Sequence, residues 1–230
     1  MVEPGQYARI VEMEDTLKAK QAAVGGGLIT CAYPWEEAVC IVANDEGLIN
    51  GMPFNRYVEN YQVIAGPFFV CGFTEDDFCS LTDDQAERYC AMFQRPELFL
   101  YLEDGLLWIP YDNPHLPGAP EEVAQRFAQH GDLPDQCFCA SPDDDVLAII
   151  HYGEYGCCPI VLEPDMRHPE ETVDKLNAVL GITQEQQAAM LYGSINGWDF
   201  SAPDHAESPD QLDALEEANP HPGVEMDLTT

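Results

Sequence analysis

Three groups of side chains in this 230-residue chain have types and spacings that could do chemistry. The first is thiol-rich: Cys137, Cys139, His151, Cys157 and Cys158 crowd one stretch, with His130 a little upstream. A tetrahedral zinc site draws thiolates and imidazoles from pairs spaced two to four residues apart, so that both donors reach one ion. Here the pairs are Cys-x-Cys and Cys-Cys. In a strand Cys137 and Cys139 share a face, which permits a site built from Cys137, Cys139, His151 and Cys157. Adjacent Cys157 and Cys158 point apart, so only one of them is offered. The competing reading is a set of reduced, buried thiols that pack as small hydrophobes.

The second group is the loop Asn50-Gly51-Met52-Pro53-Phe54-Asn55-Arg56. Either Gly51 and Pro53 set the backbone of a turn while Arg56 pairs with a local carboxylate, or Arg56 grips an anion bidentately with Asn50 and Asn55 adding hydrogen bonds. The third group is acidic: Glu75-Asp76-Asp77, Asp83-Asp84 and Asp143-Asp144-Asp145. Duplex DNA carries one charge per roughly 1.7 Å of axis, so carboxylates along a folded ridge would imitate a row of phosphates. No Gly-x-Ser-x-Gly, His-Glu-x-x-His, P-loop or Gly-x-Gly-x-x-Gly signature occurs, and a thiol enzyme would need a base beside one of the cysteines.

Charge narrows the partners. The chain holds 42 Asp and Glu against 9 Lys and Arg, a net charge of -33. Both halves contribute, with 19 acids and 6 bases up to residue 115, and 23 acids and 3 bases beyond it. A protein binds nucleic acid by supplying cations in place of condensed counterions. A field this negative repels nucleic acid and anionic lipid over about 8 Å at physiological salt. Direct nucleic-acid or membrane binding is therefore not expected, and partners should be basic, or neutral and small. No window reaches the ~18 apolar residues of a membrane span, and Val2 to Gln6 lacks the order of a secretory signal, so a soluble cytoplasmic protein is expected. Nine cysteines, several within apolar runs, do not suggest a disulfide framework.

The elements that must position these groups spell an α+β protein: two small mixed domains, each a short, mostly antiparallel sheet with packed helices, plus a disordered acidic C-terminal tail. Residues 1–96 form the first. Tyr7 to Met13 is a strand candidate, and Asp15 caps a helix running to Val24, which Gly25-Gly26-Gly27 ends. Strands follow at 28–32 and 38–43. Asn44-Asp45-Glu46-Gly47 is a turn, and 63–73 is one long apolar strand. Thr82 to Gln85 is a capping box opening a helix that presents Ala86, Tyr89, Cys90 and Phe93 on one face and stops before Pro96. Residues 97–109 form a β-hairpin around Glu103-Asp104-Gly105. The four prolines within 110–120 mark a linker. Residues 121–200 form the second domain: a helix at 121–130, strands at 137–140 and 146–152, then two helices at 169–180 and 183–192 separated by Gly181. Residues 201–230 carry eight acids with no Lys or Arg and read as the tail.

Several separated segments occur in an order that carries a resemblance: Val2-Glu3-Pro4-Gly5, Ala22-Ala23-Val24-Gly25-Gly26, Tyr33-Pro34-Trp35-Glu36 with Val39, Asn44-Asp45-Glu46-Gly47, Asn50 to Arg56, and Ile64-Ala65-Gly66-Pro67-Phe68-Phe69-Val70. Over roughly residues 2–95 the chain resembles the uncharacterised domain family numbered 3846 among domains of unknown function, found in proteins encoded on conjugative elements and plasmids. A further stretch, Leu180-Gly181-Ile182-Thr183 through Gly197-Trp198-Asp199, is similar to a C-terminal segment recurring in proteins of such elements. The resemblance implies a genomic context and no chemistry.

Together these readings favour a non-catalytic acidic accessory protein of a mobile genetic element, with no cofactor. In its specific form it is a DNA mimic that inhibits a host DNA-targeting defence enzyme through Glu75, Asp76, Asp77, Asp83, Asp84, Asp143, Asp144 and Asp145. The alternatives are a module that binds a small ligand at Asn50, Asn55 and Arg56 or zinc at the cysteines, and a thiol-dependent enzyme.

Overall fold

The computed structural model describes residues 1–59, 61–75, 77–102, 105–140, 146–161 and 169–198. In chain order the elements are α1 (Leu17–Ala23), β1 (Ile29–Ala32), β2 (Val39–Asn44), β3 (Phe54–Tyr57), β4 (Val63–Ala65), β5 (Phe68–Phe73), β6 (Phe78–Cys79), α2 (Asp83–Met92), β7 (Glu97–Leu102), β8 (Gly105–Pro110), α3 (Glu121–Gln129), β9 (Gln136–Ala140), β10 (Val146–His151), β11 (Cys158–Val161), α4 (Pro169–Leu180) and α5 (Gln184–Asn196). Short antiparallel sheets with packed helices make the α+β class expected from the sequence. Among the described residues no helix is long and apolar enough to cross a membrane.

The first sheet has the order β1-β2-β5-β6. Its central strand β2 is apolar at every position before Asn44 and buried throughout, because both of its faces are covered. Val39, Ile41 and Ala43 join Phe68, Tyr89 and Phe93 in one core, which places α2 on that side. Cys40, Val42 and Phe69 turn the other way and pack with Val24 at the end of α1. Trp35 extends the first core, its ring 4.4 Å from that of Tyr89.

The second sheet, order β11-β10-β9, packs its residues Phe138, Leu147, Ile149 and Ile160 with Val173, Leu176 and Leu180 of α4. The β7–β8 hairpin adds Leu98, Leu100 and Ile109 to the same core. Two capping boxes form as the sequence indicates, Thr82 with Gln85 at α2 and Thr183 with Gln186 at α5.

Four local expectations change. Asp15 does not cap α1; Thr16 does, its Oγ1 accepting from Ala19 N–H at 3.1 Å, while Asp15 pairs with Lys20. The apolar run 63–73 is two strands in two sheets, broken where Gly66 adopts φ +79° and Pro67 offers no N–H. Residues 7–13 join no strand ladder. Strands β3, β6 and β11, too short or too polar to show a period-two pattern, are additions to the sequence reading. The expected acidic tail, 201–230, lies outside the described residues.

Met1–Gly197 form a compact unit in which the segment after β8 acts as a clasp. Tyr7 donates its phenol hydrogen to Asp112 Oδ1 at 3.0 Å and accepts from Asn113 N–H at 3.0 Å. Asp112 Oδ2 is held by Arg126 Nη2 at 2.6 Å and Arg95 Nε at 3.2 Å. Arg126 also grips Asp135 with Nε and Nη2, and Val123 and Phe127 of α3 bury Tyr7. Face to face at 3.8 Å, Tyr57 and Trp108 stack β3 onto the hairpin.

Candidate partner-binding surface

The loop read either as a turn with a locally paired Arg56 or as an anion site is a buried structural knot. Asn55 and Arg56 lie on β3 at 0% and 1% exposure. Asn55 Nδ2 donates to Val2 O at 3.0 Å and Gly66 O at 2.8 Å, tying the N-terminal segment to the β4–β5 break. The Arg56 guanidinium places all five N–H groups: Nε on Phe93 O, Nη1 on Asn55 O and Asn55 Oδ1, Nη2 on Gln6 O and Phe93 O. None is left for a ligand, and the carbonyl oxygens that accept them join the end of α2 to the N-terminal segment. Burial lowers the Arg56 pKa to about 10, with Glu97 acting the other way. Asn50 sits apart from this knot, exposed in the turn before β3.

The thiol group is spread over the second sheet. Cys137 and Cys139 flank Phe138 on β9 and are buried, opposite Ile150 and Ala148 of β10. Burial pushes the Cys137 thiol up to about 12 and raises Cys139 as well, the reverse of what a nucleophile or metal ligand needs. His151 ends β10 opposite Gln136, and Cys157 and Cys158 are exposed. Among the described residues no three Cys, His, Asp or Glu side chains gather closely enough to hold a metal ion.

The carboxylates of the third group divide. Asp77 is committed to its turn, Oδ1 accepting Phe78 N–H at 2.8 Å, while Glu75 beside it is exposed. Asp83 and Asp84 are exposed in the first turn of α2, where carboxylates favour the positive end of the helix dipole. Asp76 and Asp143, Asp144 and Asp145 lie outside the described residues. The cations explain why so much charge stays uncompensated. Arg9 pairs with Glu3, Lys20 with Asp15, Arg88 with Glu37, and Arg95 and Arg126 with Asp112, while Arg56 is sealed in the core. Six of the nine Lys and Arg are thus spent inside the fold or on five carboxylates, the fifth being Asp135 beside Arg126.

A groove of about 640 Å³ opens beside the first sheet, a size ordinary for a binding cleft. Its lining includes Phe69, Val70, Phe78 and Ala86 together with Glu12, Glu14, Asp15 and Asp83. Arg9 and Lys20 also line it, but both are ion-paired already. One wall is the edge of β5. Phe68 exchanges both backbone hydrogen bonds with Val2, at 2.9 and 3.0 Å, and pairing along this edge resumes at Gly72 opposite Cys79. Between them Val70 must turn its N–H and C=O to the same edge, since alternate residues of an antiparallel strand face one side. Among the described residues no strand lies opposite it. Residues 10–13 also line it; they make no backbone–backbone hydrogen bond among the described residues, and Ile10 is 63% exposed.

Sequence reasoning missed both the groove and the clasp. The groove draws its lining from segments far apart in the chain, around residues 8–15, 69–71 and 78–90, and Tyr7 meets Asp112 across 105 positions of chain. Neither leaves a local signature. No curated protein and no solved structure matches this chain. The motifs quoted for the resemblance serve structural ends: Val2 and Gly66 anchor Asn55, Trp35 packs on α2, and Asn44 Oδ1 caps its own turn at Glu46 N–H, 2.9 Å away. Those motifs all fall within the part of the chain that a family model identifies: residues 1–94 match the family described as Domain of unknown function (DUF3846).

Proposed function

We propose that this protein acts without catalysis, as an acidic accessory factor of a mobile genetic element that captures a basic protein. The observation that carries this reading is the distribution of charge. Arg9, Lys20, Arg88, Arg95 and Arg126 are ion-paired and Arg56 lies in the core, while Glu12, Glu14, Asp83 and Asp84 remain exposed, without an ion pair among the described residues. In its specific form the reading is DNA mimicry, in which these carboxylates occupy the basic cleft of a DNA-targeting enzyme such as a host defence nuclease. Attraction of this kind is long-ranged, raises the association rate and is screened by salt.

The test is titration of the purified protein into reactions of restriction and RNA-guided nucleases at about 50 and about 200 mM salt. Inhibition that fades at the higher salt and is relieved by competing duplex DNA supports mimicry. No inhibition across the panel at either salt removes mimicry of those targets. Failure to bind any basic protein at low salt removes the wider reading too.

A further inference from the structure

Two thiols of the first sheet are placed for chemistry with each other. Cys40 of β2 and Cys71 of β5 stand directly opposite in the antiparallel ladder, their sulfur atoms 3.8 Å apart. Opposed residues of such a pair have Cα atoms about 4.5–5.5 Å apart, within the roughly 4.4–6.8 Å that a disulfide spans. Closing the bond therefore asks for side-chain rotation and no strand movement. Access differs between the two: Cys40 is fully buried, whereas Cys71 is half-buried and lines the groove beside β5. From the opposite flank Cys31 of β1 hydrogen bonds Cys40, so the thiols form a row across three strands on the face that meets Val24. The buried thiols of the second sheet have no such neighbour across the ladder, because Cys137 and Cys139 oppose Ile150 and Ala148. Cys79 opposes Gly72 and so turns to the other face of the sheet from Cys71.

We propose that Cys71 and Cys40 are a reversible redox pair, oxidised to a cross-strand disulfide by a small disulfide that enters the groove. The Cys71 thiolate attacks one sulfur of the small disulfide, whose S–S bond breaks. One half departs as a thiolate and takes up the proton that Cys71 gave up. Cys40 then attacks the Cys71 sulfur of the mixed disulfide, and its proton leaves with the second half. Two protein thiols are oxidised and one small disulfide is reduced to two thiols; excess small thiol runs both steps backwards. The order follows from access and from the proton on Cys40. Hydrogen bonding to Cys71, and then burial, raise the Cys40 pKa and hold that proton in place. The first of these causes is removed once the Cys71 sulfur is in a mixed disulfide. This pair is independent of the proposed capture of a basic protein.

The test treats the reduced full-length protein with cystamine, a disulfide carrying two ammonium groups, because the carboxylates lining the groove repel an anionic oxidant. Samples are quenched in acid, alkylated after unfolding and mapped by mass spectrometry. The expected early product carries one cysteamine on Cys71. It gives way to a Cys40–Cys71 link, lighter than the reduced protein by two hydrogens, which dithiothreitol returns to free thiols. Cys40→Ala should stop at the mixed disulfide on Cys71, and Cys71→Ser should leave Cys40 a free thiol. The unsubstituted protein decides the matter if either variant fails to unfold cooperatively. Reaction confined to the exposed Cys79, Cys157 and Cys158 overturns the proposal. So does modification of Cys71 that never links to Cys40, or a Cys31–Cys40 link in its place.

Discussion

Asn177 of α4 bonds the backbone of Phe138 twice: its Oδ1 accepts the Phe138 N–H and its Nδ2 donates to the Phe138 C=O, each at 2.9 Å. Phe138 lies on β9, the terminal strand of the order β11-β10-β9, so one side chain supplies what a further strand would. Both residues are buried, and an edge sealed this way is closed to the pairing that the β5 edge leaves open.

Replacing Asn177 with Ala orphans a buried N–H and should cost about 1–3 kcal/mol, read as a lower denaturant midpoint at unchanged m value. Asn177→Asp should cost more, because a carboxylate oxygen would face the Phe138 carbonyl. Gln187→Ala should cost less than either. Its Nε2 also donates to Phe138 O, at 3.1 Å, but Asn177 still satisfies that carbonyl.

The clasp at Tyr7 makes a coupling prediction. Tyr7→Phe leaves Asn113 N–H without its acceptor and should destabilise by about 1–3 kcal/mol. Because Tyr7 and Asp112 share one hydrogen bond, the double variant Tyr7→Phe with Asp112→Asn should fall short of the sum of the singles by about 1 kcal/mol. Additivity would mean that the bond contributes nothing to docking the N-terminal segment on the residues after β8.

Arg56→Lys is not conservative at a site that uses five donors in a planar fork. A lysine offers three donors and keeps the buried charge, so a loss of about 3 kcal/mol is expected in equilibrium unfolding. If Arg56 were a ligand site the same change would spare stability.

Alkaline pH should weaken the fold, and the sign follows from the thiols. Cys137 is raised from 9.0 to about 12 by burial, and Cys40 and Cys139 are raised also. The unfolded state therefore loses these protons first, and stability present below pH 9 is lost as pH rises toward 12, by at most about 1.4 kcal/mol per pH unit for each group. Arg56, depressed to about 10, works in the opposite sense above that pH. Denaturant unfolding at about pH 8 and about pH 10 should show the decline, and Cys137→Val should make it shallower.

Local chemistry makes much of the fold legible in the amino-acid order. Thr82 with Gln85 and Thr183 with Gln186 announce helix starts because a capping box is satisfied within four residues. The hairpin around Gly105 and the buried strand β2 declare themselves through turn residues and apolar runs. The chain's composition likewise sets its charge, and with it the kind of partner it can attract. Tertiary structure alone decided what Arg56 does, because its acceptors come from Gln6, Asn55 and Phe93, brought together only by folding. It also decided that the run 63–73 breaks in two, since Gly66 takes a left-handed turn where Asn55 bonds its carbonyl. The groove beside Val70 belongs to the same class: a strand edge is defined by what fails to pair with it, and that is a property of the assembled sheet.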